Sequence, residues 1–311
     1  MHRLQAPDVI DGIERAVATH LGRHWKVRGF VNLNDRASHP AGILLGDRSD
    51  GLNVFVKYGE GDEALNAFRR ELAGLAFLRD PGGARTALPV ADGVVPVEGG
   101  CVLALEAVTE RAPTDRSRAD WRSIGTALGS LHATTRTTFG FELDGSFGPL
   151  PQVNTPVDTN QWSDFVRLRR VEPFLDAALR SGNLPDGFMT RVHAVTERLH
   201  ELSGPDPVPT LLHGDAQQNN YLSTDEGALF VDASPFFGHP ENDLAMVDVF
   251  EPVPSDVFDA YRERRDIDPG FMQRRELWRI PIYLAVIAVD VSNPFGRTFI
   301  GRLDEALRTF E

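Results

Sequence analysis

Apolar and polar residues recur along the chain with two different periods, and these sort it into a first hundred residues that carry strands and a longer helical remainder. Leu4, Val9, Ile13, Val17 and Leu21, interleaved with Asp8, Asp11 and Glu14, predict an amphipathic helix at the start. From Leu52 to Tyr58 the period falls to two, putting Asn53, Phe55 and Lys57 on one face of a strand and Leu52, Val54 and Val56 on the other. Asp62 to Leu78 returns to helical spacing, with Leu65, Phe68, Leu72 and Leu75 as its stripe. Glu71 borders that stripe, and a carboxylate there needs a partner. Cys101 to Val108 is an apolar strand running into Glu106. Ala119 to Thr135, with Ile124, Leu128 and Leu131, reads as a helix, Ala228 to Val231 as a strand, and Leu244 to Phe250 as a helix begun by Asp243. The run Ile280 to Val289 reads as a buried core helix with Pro281 near its N-terminus. Asp80 to Gly83 and Ser203 to Pro207 are turns between elements, and no repeat interrupts the pattern.

Composition narrows the class. A chain of 311 residues with 41% apolar and 25% charged residues is long enough for two lobes with their own cores. A net charge of −13 argues against a nucleic-acid partner, because binding a phosphate backbone rests on clustered lysine and arginine. It suits solubility or a cationic small molecule. Cys101 is the single cysteine, so no intramolecular disulfide forms, which fits a reducing cytoplasm. The first twenty residues lack the apolar core of a secretory signal, and Ile280 to Val289 is too short to span a bilayer. A cytoplasmic enzyme with no membrane partner is expected.

The chemistry concentrates between Leu211 and Met246. Asp215 follows an apolar run and a glycine, Asn220 lies five residues on, and Asp232 twelve beyond that, after the Ala228 to Val231 strand. Phosphoryl transfer passes through a loose, charge-spread transition state. It needs the phosphates held, a hard metal bound through oxygen, and an acceptor hydroxyl beside a carboxylate. The order reads as base (Asp215), metal ligand (Asn220), metal ligand (Asp232), with ATP and Mg2+ as cofactors. Asp243 reads as a support for the loop that carries Asp215 rather than as a ligand.

The segments LLHGDAQQNN and VDASPFFGHPENDLAM resemble the fructosamine kinase (ketosamine kinase) family, within the aminoglycoside phosphotransferase and protein-kinase-like fold. His213, Gly214, Asp215, Asn220, Asp232, Gly238 and Asp243 to Met246 match it, as do Leu131-His132 and Phe139-Gly140-Phe141. The resemblance implies an α+β bilobal fold. Residues 1–105 would form a nucleotide-binding lobe of antiparallel sheet plus helix, and residues 106–311 a larger, mainly helical catalytic lobe. It further implies that Lys57, paired with Glu71, holds the α- and β-phosphates, and that backbone groups of Glu106 and Val108 read the adenine edge. His132 is a structural histidine on this reading, and Trp162 and Phe165 are core aromatics.

The chain departs from the pattern at four places. Ala216 to Asn219 replaces the insert LWSG, Asp232-Ala233-Ser234 stands where the family has DPA, and Phe236-Phe237 replaces a tyrosine pair. The loop Gly29 to Gly42 has glycines only at its ends, leaving Ser38 and His39 as side-chain donors to phosphate, although a loop histidine is more often a surface residue. The first three changes are read as surrounding the acceptor. They leave open a ketosamine sugar, an aminoglycoside or a nucleoside antibiotic as substrate, with Glu241 and Asp248 favouring an amine. A nucleotide-binding pseudokinase is the reading of a different class.

Overall fold

The alternating strand that carries Lys57 lies at the centre of a five-stranded antiparallel sheet. The computed structural model describes residues 3–34, 39–47, 51–289 and 294–311. Helix α1 (Pro7–Leu21) precedes strands β1 (Gly29–Asn32), β2 (Ala41–Leu45) and β3 (Asn53–Gly59). Helix α2 (Gly61–Arg79) follows, then β4 (Val95–Val97) and β5 (Gly100–Glu106), and the strand order is β1-β2-β3-β5-β4. Period-two alternation divides the sheet's faces. Val54, Val56 and Tyr58 of β3 and Val102 and Ala104 of β5 bury against Val9, Ile13 and Val17 of α1 and Trp25. On the other face Leu103 and Leu105 join Phe68, Leu75 and Leu78 of α2 in the main core.

Beyond Glu106 the chain is mostly helical, with short two-stranded ribbons. Helix α3 (Arg118–Leu131) starts with a capping box between Ser117 and Asp120. The ribbon β6 (Gly145–Phe147) and β7 (Leu150–Gln152) comes next, then α4 (Trp162–Val166), a wide π turn (Arg167–Val171) and α5 (Glu172–Ser181). Helices α6 (Phe188–Glu197) and α7 (Leu199–Leu202) lead to β8 (Thr210–Leu212) and the hairpin of β9 (Tyr221–Thr224) with β10 (Gly227–Phe230). Strand β11 (Phe236–Gly238) pairs back on β8, before α8 (Pro240–Met246), α9 (Asp256–Arg262), α10 (Phe271–Val289) and α11 (Pro294–Phe310). The α+β class expected from the pattern is the class observed. Among the described residues no helix is long and apolar enough to cross a membrane.

Two helix boundaries differ from the expectation. Pro281 does not lie near a helix start but inside α10, which begins at Phe271. Continuous burial from Leu277 to Ile287, packed on α5 and α11, offsets the roughly 3 kcal/mol cost of an interior proline. Asp243 lies within α8 rather than at the start of a helix, because Pro240 opens the turn three residues earlier.

Helices α3 and α9 cross closely because Gly125 has no side chain: a Cβ there would sit 1.9 Å from the Val257 carbonyl oxygen. Gly125→Ala is therefore expected to cost about 1–3 kcal/mol, read as a lower denaturant midpoint.

Candidate active site

Lys57 is buried in the middle of β3, and its ammonium is held by two carboxylates from distant parts of the chain. Glu71 of α2 accepts at 2.9 and 3.1 Å, and Asp232, just past β10, accepts beside it. Burial alone would drive the proton off Lys57; the charges of Glu71 and Asp232 outweigh it and hold the pKa above the ordinary lysine value. Asp232 moves the other way: burial would raise it, but Lys57 keeps it ionised and below the usual carboxylate range. Glu71 is raised, by burial first and then by its neighbour Asp232 against the pull of Lys57. Two local features allow the contact. Asp232 has a left-handed backbone (φ 54°), which Asp tolerates better than most side chains. Gly74, one turn after Glu71, lets α2 press on the following segment, since a Cβ there would lie 2.9 Å from Pro235 and 3.1 Å from the Ala233 carbonyl oxygen.

Asp215 and Asn220 form a second unit. The Asn220 amide nitrogen donates to the Asp215 carboxylate (2.9 Å) and carbonyl (2.8 Å), which leaves Asn220 Oδ1 as the free donor atom. Gln217 adds a weaker contact to the carboxylate at 3.3 Å. The Val231 N–H donates to the Asn220 carbonyl at 3.1 Å, so backbone pairing registers Asn220 against the residue that precedes Asp232. Beneath them the fully buried Asp243 accepts the N–H groups of His213 (2.7 Å) and Gly214 (3.1 Å) and faces His132 Nε2 at 3.2 Å. It therefore fixes the turn that presents Asp215. His132 is equally buried and also bonds the Tyr261 hydroxyl. Burial holds both His132 and His213 below the ordinary imidazole value. The Asp215 carboxyl is pushed up to about 7, first by burial, with Asp232 and Asp243 adding and the amides of Gln217 and Asn220 opposing.

Asn220 Oδ1 and the half-exposed Asp232 carboxylate are hard oxygen donors on two registered segments. No group of three or more His, Cys, Asp or Glu gathers into a metal cage among the described residues. A donor pair of this kind fits a divalent cation that takes its remaining ligands from phosphates and water.

Lys57, Glu71 and Asp232 lie at the end of a cleft. Glu106 and Val108 line the other end, with Ile43, Phe55, Ala87, Leu105, Leu222 and Val231 as apolar walls. The cross-strand row Ile43, Phe55 and Leu105 forms one wall, an assembly that needs the sheet register and that no single strand announces. The Glu106 N–H is spent on the Leu88 carbonyl and the Ala107 N–H on Asn53. That of Val108 has no partner among the described residues. An apolar slot with one free N–H at its edge suits a flat heteroaromatic ring.

Several sequence expectations are corrected. Phe236 and Phe237 do not face a substrate; both are buried, one beneath Arg170 and stacked on Phe165, the other against Phe141 and Arg136. Glu241 is saturated by Arg274 and Trp278, and Asp248 by Arg275 and Arg279, so neither carboxylate is free for an amine. Asn219 lines the cleft, while the Gln218 amide bonds Glu251 at 2.7 Å. Gly29 and Gly42 sit in β1 and β2 rather than in the turn, Ser38 lies outside the described residues, and His39 packs edge-on against Phe68 at 5.1 Å. Burial and then the Lys57 charge lower the His39 pKa, and the residue is partly buried rather than out on the surface.

The sheet with its lysine and helix glutamate, followed by a mainly helical part that carries the Asp215 and Asp232 turns, is a kinase-like fold. The crystal structure of an aminoglycoside phosphotransferase in complex with ADP and hygromycin B superposes with a TM-score of 0.61 over 96% of this chain and 98% of that one, at 17% identity. A closer match is the crystal structure of a Thermobifida fusca candidate fructosamine-3-kinase, with a TM-score of 0.79, 28% identity, and 96% and 99% coverage. Among named relatives, the mouse ketosamine-3-kinase is 26% identical over 279 residues, covering 81% of this chain and 86% of its own. The fructosamine kinase family profile matches residues 12–309, and the chain belongs to that family of ATP-dependent kinases.

The raised Asp215 value has a consequence for stability. Its folded pKa, about 7, lies above the ordinary 3.8, so the folded state binds this proton more tightly. Its contribution to stability falls as pH rises from about 4 to about 7 and is level beyond. Asp215→Asn removes that penalty. Thermal melts are expected to place the variant roughly 2–3 °C above the parent at pH 8 and level with it near pH 4, a screened gain of about 1–2 kcal/mol.

Proposed function

We propose that this chain transfers the γ-phosphoryl group of ATP, with Mg2+, to a sugar hydroxyl of a ketosamine. The observation that carries the reading is the convergence of Lys57, Glu71 and Asp232 at one end of a cleft whose other end is the strand terminus at Glu106 to Val108. On this reading residues 1–105 close on the nucleotide from one side and residues 106–311 carry the transfer and acceptor chemistry. The enzyme works in the cytoplasm.

Each residue then has a defined task. The Glu106 carbonyl and the free Val108 N–H take the adenine edge, and the apolar walls take its faces. Lys57, kept charged and oriented by Glu71, binds the α- and β-phosphate oxygens. Asn220 Oδ1 and Asp232 hold Mg2+, which supplies charge neutralisation on the phosphates. Asp215 accepts the proton of the acceptor hydroxyl; with its pKa near 7 about half of it is ionised at neutral pH, and that fraction is a stronger base than an ordinary carboxylate. The Asn220 and Gln217 amides, both donating to Asp215, hold the carboxylate in one orientation while they do so.

Family membership and the named relatives favour a ketosamine acceptor. Of the features that had kept an antibiotic acceptor in view, Phe236-Phe237, Glu241 and Asp248 are occupied inside the protein. A pseudokinase is disfavoured by a full set of chemically required side chains.

The test is ADP release with ketosamines, aminoglycosides and nucleoside antibiotics assayed in parallel. Turnover with ketosamines alone, abolished by EDTA and restored by Mg2+, is expected; phosphate transfer to none of the panel would favour the binding module. In the same assay Asp215→Asn is expected to lower turnover at least about a hundredfold while nucleotide affinity stays within about twofold.

A further inference from the structure

We propose that Arg116 is the positioning residue for the metal-binding amide of Asn220, acting through the backbone of the turn that carries it. The inference rests on the assignment of Asn220 as a metal ligand and concerns a residue from a different part of the chain. Arg116 is buried, 9% exposed, and lies immediately before the capping box that starts α3, so its backbone is fixed by the helix it precedes. Its guanidinium reaches across to the Gln218–Asn220 turn. One terminal nitrogen donates to the Gln218 carbonyl at 3.1 Å and the other to the Tyr221 carbonyl. Those two carbonyls bracket Asn220. The indole of Trp121 lies under the guanidinium at 4.9 Å and restricts its plane.

The geometry suits arginine and no other side chain. Two carbonyls on either side of a tight turn call for a planar fork with two separate donors, whereas a lysine ammonium is a single point on a flexible stem. A charged donor to a neutral acceptor is stronger than an amide bond, and burial keeps water from competing. The clamp also belongs to a longer splint. The Arg111 N–H donates to the Ser223 carbonyl at 2.8 Å, and Ser123 Oγ accepts the Ala228 N–H at 2.7 Å, so the segment leading into α3 is stitched along the β9–β10 hairpin. Asn220 and Asp232 both stand at the open end of that hairpin, where the Val231 N–H meets the Asn220 carbonyl. Arg116 sits on the Asn220 side, where the turn's own backbone bond runs from the Asn220 N–H to Gln217. Releasing the clamp frees the turn to rotate the amide away from the cation, while the cleft keeps the lining that the sheet and the Glu106 to Val108 segment supply.

The experiment compares the full chain with Arg116→Lys, Arg116→Gln and Asn220→Ala. Binding of Mn2+ to the AMP-PNP complex is followed by electron paramagnetic resonance, and binding of AMP-PNP alone is measured in EDTA. Thermal melts establish which variants are folded. Both Arg116 variants are expected to weaken Mn2+ at least about tenfold, Arg116→Lys less than Arg116→Gln, with metal-free nucleotide affinity changed less than about twofold. Should Arg116→Gln fail to fold, the lysine variant carries the comparison. Wild-type Mn2+ affinity in a folded Arg116 variant, or equal losses of Mn2+ and of metal-free nucleotide, overturns the inference. Unchanged Mn2+ affinity in Asn220→Ala would instead remove the metal assignment beneath it.

Discussion

A lysine ammonium taken out of water must be given carboxylates, and Lys57 draws its two from segments 14 and 175 residues away. That requirement fixes three elements at once: the central strand, the helix packed on it, and the loop after the β9–β10 hairpin. Removing Lys57 would leave two neighbouring carboxylates without a counter-charge, so the arrangement is specified more sharply than apolar packing alone would achieve. It also sets the electrostatics of the cleft. One positive and two negative charges leave a net negative end, which a divalent cation and a triphosphate can share without stranding any group.

A second buried carboxylate organises what faces that cluster. Asp243 ties the His213 and Gly214 backbone to α8, with His132 and Tyr261 behind it. The carboxylates thus stand in two layers. Asp243 is sealed in and holds the backbone, whereas Asp232 lines the cleft and Asp215 is partly exposed. The same residue type takes three roles because depth and partners differ at each site.

Much of this was legible in the sequence. The alternation at Leu52 to Tyr58 placed Lys57 on the face that meets α2, and the position of Glu71 beside an apolar stripe announced a partner. Spacing of Asp215, Asn220 and Asp232 pointed to the proposed chemistry because turns and a short hairpin have few geometries. What stayed hidden depends on tertiary contact. The pairing of Ile43 with Phe55 and Leu105 needs the strand register. Arg116 bonds backbone carbonyls, which leave no mark on the residue types they belong to. Phe236-Phe237 and Glu241 looked available because polarity and position near a motif say nothing of burial, and Pro281 looked like a helix start because packing on both sides was not visible.

The central claim is that the Lys57 cluster opens onto a metal-bound triphosphate. A crystal structure of the protein with AMP-PNP and Mg2+ tests it most directly. The account predicts Lys57 still paired with Glu71 and bonded to the α- and β-phosphates, with Asp232 turned from the ammonium to the metal beside Asn220. A nucleotide bound elsewhere, or a metal that touches neither Asn220 nor Asp232, would contradict it.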